Sequence, residues 1–347
     1  MRTGVLRCLL AAALFGASAP AAAPLARDTN PLVLAGLLYL GAGLAVLPQV
    51  MIRPPDRVAL RRDAGPAALA VVAGGAVGPA LLMAGLARTS AANASILLNL
   101  ELAATVALAA TVFREHLGRR LLIGAGLVVL AGVVLVWEPG AAPDPGALLV
   151  VAACAAWGFD NGVTARIDQL SPEHVVALKG AVAGTVNLLL GLVIADAGAG
   201  PGPSTVVAAL AIGALGYGGS IVLWVKGARD LGAARGQVIF AAAPFIGAAI
   251  AWTVLGEPVG ALQLVAVVLA VAGVAVSLES AHEHPHTHTW LDHDHEHRHG
   301  DDHHDHHGSG DDPLVTGDPA GAHTHRHRHR PITHAHSHVP DLHHRHH

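Results

Sequence analysis

Glu101, Asp160 and Lys179 stand inside long runs of alanine, leucine, valine and glycine, where a charge is costly. At the centre of a lipid-spanning helix a charged side chain costs about 2.5–3.5 kcal/mol on insertion scales, so each needs a partner, water or a proton. Glu101 lies about eleven residues into its run. At about 1.5 Å per residue that is some 16 Å deep, near the midplane of a bilayer. A carboxyl there is a site for taking up and releasing a proton; the plain alternative is a structural hydrogen bond to a neighbouring helix. Asp160 precedes Arg166 by six residues and Lys179 follows Glu173 by six. Each therefore sits about 9 Å inside if both stretches are helical, and adjacent antiparallel helices could pair the two. Such a pair would be a brace, a gate or a binding site for a zwitterion. Trp157, Asp160, Asn161 and Thr164 fall at i, i+3, i+4 and i+7, one helical face, as do Lys179, Ala183 and Asn187. Asn187 alone reads as a helix–helix hydrogen bond. Asn93, Ser95 and Asn99 add polarity to the run that carries Glu101, without all facing one way.

These residues need membrane-spanning helices to position them. Apolar residues make up 52% of the chain and charged residues 13%, a balance that excludes an ordinary soluble globule. Ten apolar runs are long enough to cross the roughly 30 Å of hydrocarbon: about 4–23, 31–50, 65–87, 90–113, 120–137, 146–167, 174–195, 204–225, 234–255 and 260–278. Lipid cannot satisfy an open backbone, so they must be helical. The expected fold is an all-α membrane protein of ten transmembrane helices, with a disordered C-terminal tail. Met1–Ala23 also fits a cleavable signal peptide. The retained helix is preferred, because a removed segment need not echo a later part of the chain. Basic residues concentrate before the first run and in the even-numbered loops (Arg2, Arg7, Arg53, Arg57, Arg61, Arg62, Arg114, Arg119, Arg120, Arg166, Lys226, Arg229), against Arg27 and Arg88 in odd-numbered ones. That asymmetry puts both termini in the cytoplasm. The Arg-rich, Lys-poor composition points to a bacterial cytoplasmic membrane. Cys8 and Cys154 both lie inside runs, which supports neither a disulfide framework nor a thiolate metal site.

The two halves of this region, 1–139 and 140–280, repeat one another. Phe15-Gly16 matches Trp157-Gly158, Ala87-Arg88 matches Ala228-Arg229, and Ala91-Ala92 matches Ala233-Ala234. Glu115 matches Glu257, and Ala131-Gly132 matches Ala272-Gly273, all at a spacing of 141–142 residues. Five spans per copy is an odd number, so the second copy inserts upside down, the inverted repeat of many secondary transporters. The repeat also sorts residues. Glu115 and Glu257 occur in both copies, just before a helix begins, and read as interfacial caps. Glu101 stands opposite Ala243, Asp160 opposite Ser18 and Lys179 opposite Leu37, so these three are the candidates for chemistry. Gly74, Gly75, Gly78, Gly180, Gly184 and the glycines at 213–219 are expected to serve close packing. Tyr217 and Trp224 are expected as interface anchors or cavity walls, with anchoring the default.

Thr89-Ser90-Ala91-Ala92-Asn93-Ala94-Ser95, then Leu98-Asn99-Leu100-Glu101, closing on Phe113-Arg114-Glu115-His116-Leu117, resembles the EamA-like family of the drug/metabolite transporter superfamily. Ala242-Ala243-Pro244-Phe245 and Leu255-Gly256-Glu257-Pro258 repeat the pattern more loosely. The resemblance covers about residues 1–280 and implies a ten-helix carrier that exports amino acids or other small metabolites. One departure is Leu102, where a proline often follows the glutamate, as Pro244 sits in the second copy; without it the first-copy helix is expected to be less kinked. The resemblance names a class of mechanism and leaves the cargo open. On this reading Glu101 is the proton-sensitive site, and Asp160, Asn161, Lys179, Asn93, Asn99 and Asn187 line the cargo or proton pathway.

The tail, 281–347, carries 23 of the 25 histidines and few apolar residues, so it cannot build a core. The membrane region has 16 Lys/Arg against 14 Asp/Glu and the tail 5 against 11, giving the overall −4; no basic surface suggests nucleic acid as a partner. Alternating His-x-His offers imidazoles on an extended strand, suited to Zn²⁺, Ni²⁺, Co²⁺ or Cu²⁺. The candidate ligands are His282, His284, His286, His288, His293, His295, His297 and His299 in the first block. In the second they are His323, His325, His327, His329, His334, His336 and His338. Buffering, sensing, a pH response and simple solubility all remain open. A carrier that moves metal should also place ligands inside the membrane, and His116 and His174 lie in or beside loops. No phosphate loop, nucleophile elbow or intramembrane metal motif suggests an enzyme, and no cofactor is required. The expected partners are the lipid bilayer, a small-molecule substrate and, at the tail, divalent metal ions. The rivals to a metabolite exporter are a divalent-metal exporter and a metal-sensing membrane scaffold.

Overall fold

The computed structural model describes residues 2–112, 118–136, 144–164, 166–167, 169–194, 200–231, 239–278, 282–288, 291–297, 323–329 and 332–338. Among the described residues, eight helices are long and apolar enough to cross a membrane, and two shorter apolar helices complete the series. In order, the spans are Arg2–Asp28, Pro31–Ile52, Ala64–Leu86, Ala91–Thr111, Arg119–Val136, Pro145–Thr164, Pro172–Ile194, Pro203–Leu231, Ala243–Thr253 and Ala261–Leu278. They correspond one for one to the ten apolar runs. The expected start of span nine, near residue 234, lies outside the described residues.

Local chemistry sets the starts. Spans two, six, seven and eight open on proline, whose missing N–H costs nothing in a first turn. Asn30, Ser90 and Ser171 accept hydrogen bonds from the first free N–H groups of spans two, four and seven. Within the spans the helix is not uniform. Val71–Val77 in span three and Gly213–Gly219 in span eight are π-helical, and they match one another at the repeat spacing of 142. Span seven has a third π segment, Lys179–Gly184, whose counterpart in span two is ordinary α-helix.

Span four is split between Ala91–Leu97 and Leu100–Thr111. The expectation that a missing proline would leave this helix less kinked is corrected here. At Leu98–Asn99 the backbone tightens to i→i−3 bonds, and Asn99 Nδ2 donates to Ile96 O at 2.8 Å. The short amide competes for the helix's own carbonyl and breaks the run as a proline would. Span nine shows the same interruption at Ala241–Ala242, with Pro244 opening the next turn.

Contacts between the halves repeat across the pseudo-symmetry. Span one lies on spans eight and nine, and span six lies on spans three and four. Gly16 packs against Ala243 and Ile246, and its counterpart Gly158 against Ala104 and Thr105. Spans two and seven meet where a Cβ on Gly180 would stand 2.6 Å from Gly43 Cα. Spans five and ten meet where one on Gly273 would stand 2.7 Å from Gly124 O. Such close approach replaces the hydrophobic effect as the source of helix association in lipid. The core between the layers is mostly alanine, with Leu34, Leu38, Leu82, Met83 and Leu86 fully buried.

The tail forms a unit of its own, Ala281–His347. Its strands β1 (His282–His288), β2 (Leu291–His297), β3 (His323–His329) and β4 (Ile332–His338) pair antiparallel as β1–β4 and β2–β3. The register sets His284 opposite His336, His286 opposite His334, His293 opposite His327 and His295 opposite His325. An isolated two-stranded ladder is marginal in water.

Candidate functional site

The break in span four places Glu101 in the first turn of the trailing helix, Leu100–Thr111. Asn161 of span six donates from Nδ2 to Glu101 Oε1 at 2.8 Å and to Thr105 Oγ1 at 3.2 Å. Thr105, one turn on, donates to Glu101 O at 2.8 Å. The freed Leu97 carbonyl receives Cys154 Sγ at 3.5 Å. Glu101 is thus held by neutral donors, beside an amide that is itself exposed. Among the described residues, the one ammonium in the neighbourhood, that of Lys179, pairs with the second carboxylate.

That carboxylate is Asp160, one residue before Asn161. Lys179 Nζ stands 2.5 Å from Asp160 Oδ2, and the two side chains are 13% and 8% exposed. Thr164 donates to Asp160 Oδ1 at 3.1 Å. Span three shapes the pocket of the pair. A Cβ on Gly74 would strike the Asp160 carboxylate, and one on Gly75 would stand 3.2 Å from Lys179 Cγ. The shift in register explains the acceptor at Gly74: the Gly78 N–H bonds Ala73 O, and the next residue, Pro79, has no N–H to give Gly74 O. Gly74 O receives Tyr39 Oη at 2.7 Å and Trp157 Nε1 at 3.0 Å, and Ala76 O receives Asn187 Nδ2 at 3.0 Å.

The structure therefore brings Glu101, Asp160, Asn161 and Lys179 together, with Trp157 and Thr164 on the same helical face. Asn187 is tied to the backbone of span three beside them. Two of the sequence candidates lie elsewhere. Asn99 turns back on its own helix, and Asn93 accepts from Gln263 Nε2 of span ten at 2.7 Å, at the far end of span four. Tyr39 and Thr105 were not singled out in the sequence, although Tyr39 is one of only two tyrosines and Thr105 sits one turn from Glu101, and Gly74 was expected only as a packing glycine.

Tyr217 is not an interface anchor. It is buried, 5.7 Å from Tyr39 and 5.9 Å from Phe15 between ring centroids. Phe240 continues the row at 5.4 Å from Phe15, and Trp224 stands 6.4 Å from Phe240. Edge-on and tilted rings at these spacings are favourable aromatic contacts. In a chain that is only 3% aromatic, they make a file leading away from the charged cluster.

Glu257 caps a different helix from the one expected. Its Oε1 and Oε2 accept the Ala91 and Ala92 N–H groups at 2.8 Å each, so it caps span four of the other half, not span ten which follows it. Gly256, at φ +67°, and the Glu257 N–H bond to Ala251 O form the turn that aims it. Its counterpart Glu115 lies outside the described residues, as do His116 and His299. His174 bonds Arg53 O through Nε2 at 2.7 Å and joins loops two and six. Asp63 links the same loops by accepting from the Gln169 and Leu170 N–H groups. Among the described residues no group of three or more His, Cys, Asp or Glu could hold a metal ion.

An uncharacterized transporter of Methanothermobacter thermautotrophicus is 25% identical over 205 residues, which span 57% of this chain and 60% of that protein. A solved structure described only as "Crystal structure of protein" superposes with a TM-score of 0.55 at 20% identity, covering 80% of this chain and 96% of the other, which supports the fold. Residues 2–137 and 144–278 each match the EamA-like transporter family, one match per repeat. The chain belongs to the EamA-like transporter family.

Proposed function

We propose that the protein is a secondary transporter that exports a small organic metabolite of amino-acid type, with Glu101 exchanging a proton during the cycle. One observation carries the reading. Among the described residues, the charges set in the middle of the spans are two carboxylates and one ammonium, all in one cluster. Asp160 and Lys179 neutralise each other. The Glu101 carboxylate, which among the described residues accepts the Asn161 amide, is left to be neutralised by a proton or by a cationic group of the cargo. Competition between those two is the elementary step of proton-coupled exchange. The aromatic file from Tyr39 to Trp224 gives the cargo's apolar part a surface, and aromatic faces also attract an ammonium.

The basic even-numbered loops support an orientation with both termini in the cytoplasm of a bacterium. The His-rich tail would then bind divalent transition metals on that side, as a buffer or sensor. It also favours the rival reading of a metal exporter. Flux in proteoliposomes separates them, with the full chain, a chain ending at Ser280 and Glu101→Gln each given amino acids or Zn²⁺ across a pH gradient. Amino-acid flux that survives truncation and loses its pH dependence in Glu101→Gln is the expected result. Zn²⁺ flux that disappears on truncation would overturn it.

A further inference from the structure

The two ends of span four are built differently. Its leading helix, Ala91–Leu97, is sealed: Ala91, Ala92 and Ala94 are fully buried and Ser95 is 1% exposed. Its trailing helix buries only Ala103, Val106 and Ala109, and Asn161 beside Glu101 is exposed. The charged cluster thus lies against the less buried trailing helix, and the leading helix is closed in by its neighbours.

The closed end is held by a compact set of polar contacts between the halves. Glu257 takes both the Ala91 and Ala92 N–H groups. Gln263 of span ten donates to Asn93 Oδ1, while its own Oε1 accepts from Trp252 Nε1 at 3.1 Å and Gly260 N at 3.0 Å. Beneath this clasp the interface of span four with span nine is small-residue packing, and a Cβ on Gly247 would stand 2.7 Å from Ser95 Oγ. Ser95 Oγ is buried with no hydrogen-bond partner among the described residues. A permanent interface rarely leaves a hydroxyl so, whereas one that separates can satisfy it in its other state. The leading helix also ends at the Leu98–Asn99 break, where the continuous α-helical bonding stops.

We propose that Glu257, with Gln263 and Asn93, is the clasp of a gate that closes this end of the bundle. The gate opens when the leading helix of span four swings from spans nine and ten about the Leu98–Asn99 break. This assigns Asn93 to the gate and not to the cargo. The inference rests on reading the chain as a carrier, but its test needs no cargo and so can fail independently of that reading.

The test uses the full-length chain carrying Ser95→Cys in proteoliposomes, with and without Glu257→Gln, labelled by a bulky, water-soluble maleimide and read thiol by thiol by mass spectrometry. Glutamine keeps one acceptor for the two N–H groups and loses the charge that favours the helix N-terminus. Labelling at position 95 should rise about tenfold, equivalent to about 1.4 kcal/mol. Cys8, fully buried in span one far along the sequence from the clasp, reports general loosening and should stay slow. Glu257→Asp should fall between the two. Unchanged labelling at position 95, or a parallel rise at Cys8, overturns the proposal.

Discussion

Removing either partner of the Asp160–Lys179 pair should destabilise the protein far more than removing both. With the side chains 8% and 13% exposed, little solvent screens the charge left behind. In Lys179→Met, Asp160 keeps, among the described residues, the Thr164 hydroxyl. In Asp160→Asn, the buried ammonium faces an amide oxygen at best. Orphaning a buried charge in this way costs about 3–5 kcal/mol. Replacing both charges removes the desolvation penalty along with the attraction, so Asp160→Asn/Lys179→Met should fall within about 1 kcal/mol of the parent. The cycle would then show a non-additivity of about 3 kcal/mol or more, where independent sites scatter by about 0.3–0.5 kcal/mol. Reversible unfolding by SDS in mixed micelles measures it. Transport by the same four proteins then separates brace from binding site. A brace predicts that the double variant recovers flux with stability, whereas a cargo site predicts recovered stability without flux. Additive losses in the two single variants would refute the argument, because they would mean that the charges do not depend on each other in the folded state.

Two further outcomes follow from the geometry. Gly74→Ala should cost about 1–3 kcal/mol by overpacking and should abolish flux, since its methyl lands on the Asp160 carboxylate. The matched Gly216→Ala, whose Cβ would stand 2.7 Å from Ser18 Cβ, should lose comparable stability, measured by thermal melting, but keep more flux. Zn²⁺ titrated into the full chain should bind at several sites that a chain ending at Ser280 lacks. That binding should weaken as pH falls through about 6.5, where imidazoles take up protons and can no longer ligate. Equal metal uptake by the two chains in equilibrium dialysis would refute the assignment.

Much of this site could be read from the chain because the chain contains its own control. Charge in a lipid-spanning helix is costly enough to be rare, and the second copy shows what the scaffold needs without it. Comparing Glu101 with Ala243, Asp160 with Ser18 and Lys179 with Leu37 therefore isolates the three residues that the fold gathers. Helical spacing also placed Trp157, Asn161 and Thr164 beside Asp160. What stayed hidden depends on the backbone. Nothing in the residue types marks Val71–Val77 as π-helical, yet that register sets Pro79, which has no N–H, opposite the Gly74 carbonyl and leaves it for Tyr39. Asn99 broke span four by a local side-chain bond, an effect that reading for proline alone misses. Glu257 looked like the cap of the helix after it because sequence shows neighbours along the chain. The groups it reaches are 165 and 166 residues away.

The same comparison bears on why a duplicated carrier would keep its halves unequal. The matched π segments in spans three and eight give each half freed carbonyls and a glycine-lined face. In span eight they are used locally: Ser220 Oγ donates to Gly216 O at 2.6 Å and lies 3.3 Å from Tyr217 O. In span three they receive Tyr39, Trp157 and Asn187 from three other spans. The unmatched π segment of span seven begins at Lys179 itself. Symmetry thus supplies two equivalent places for a polar cluster, and only one is charged. Two charged clusters would double the cost of burying carboxylates and would hold cargo at two depths along one path. A single cluster beside the pseudo-symmetric seam can be approached from either side while the scaffold around it rocks. That is what alternating access about one fixed site requires of an inverted repeat.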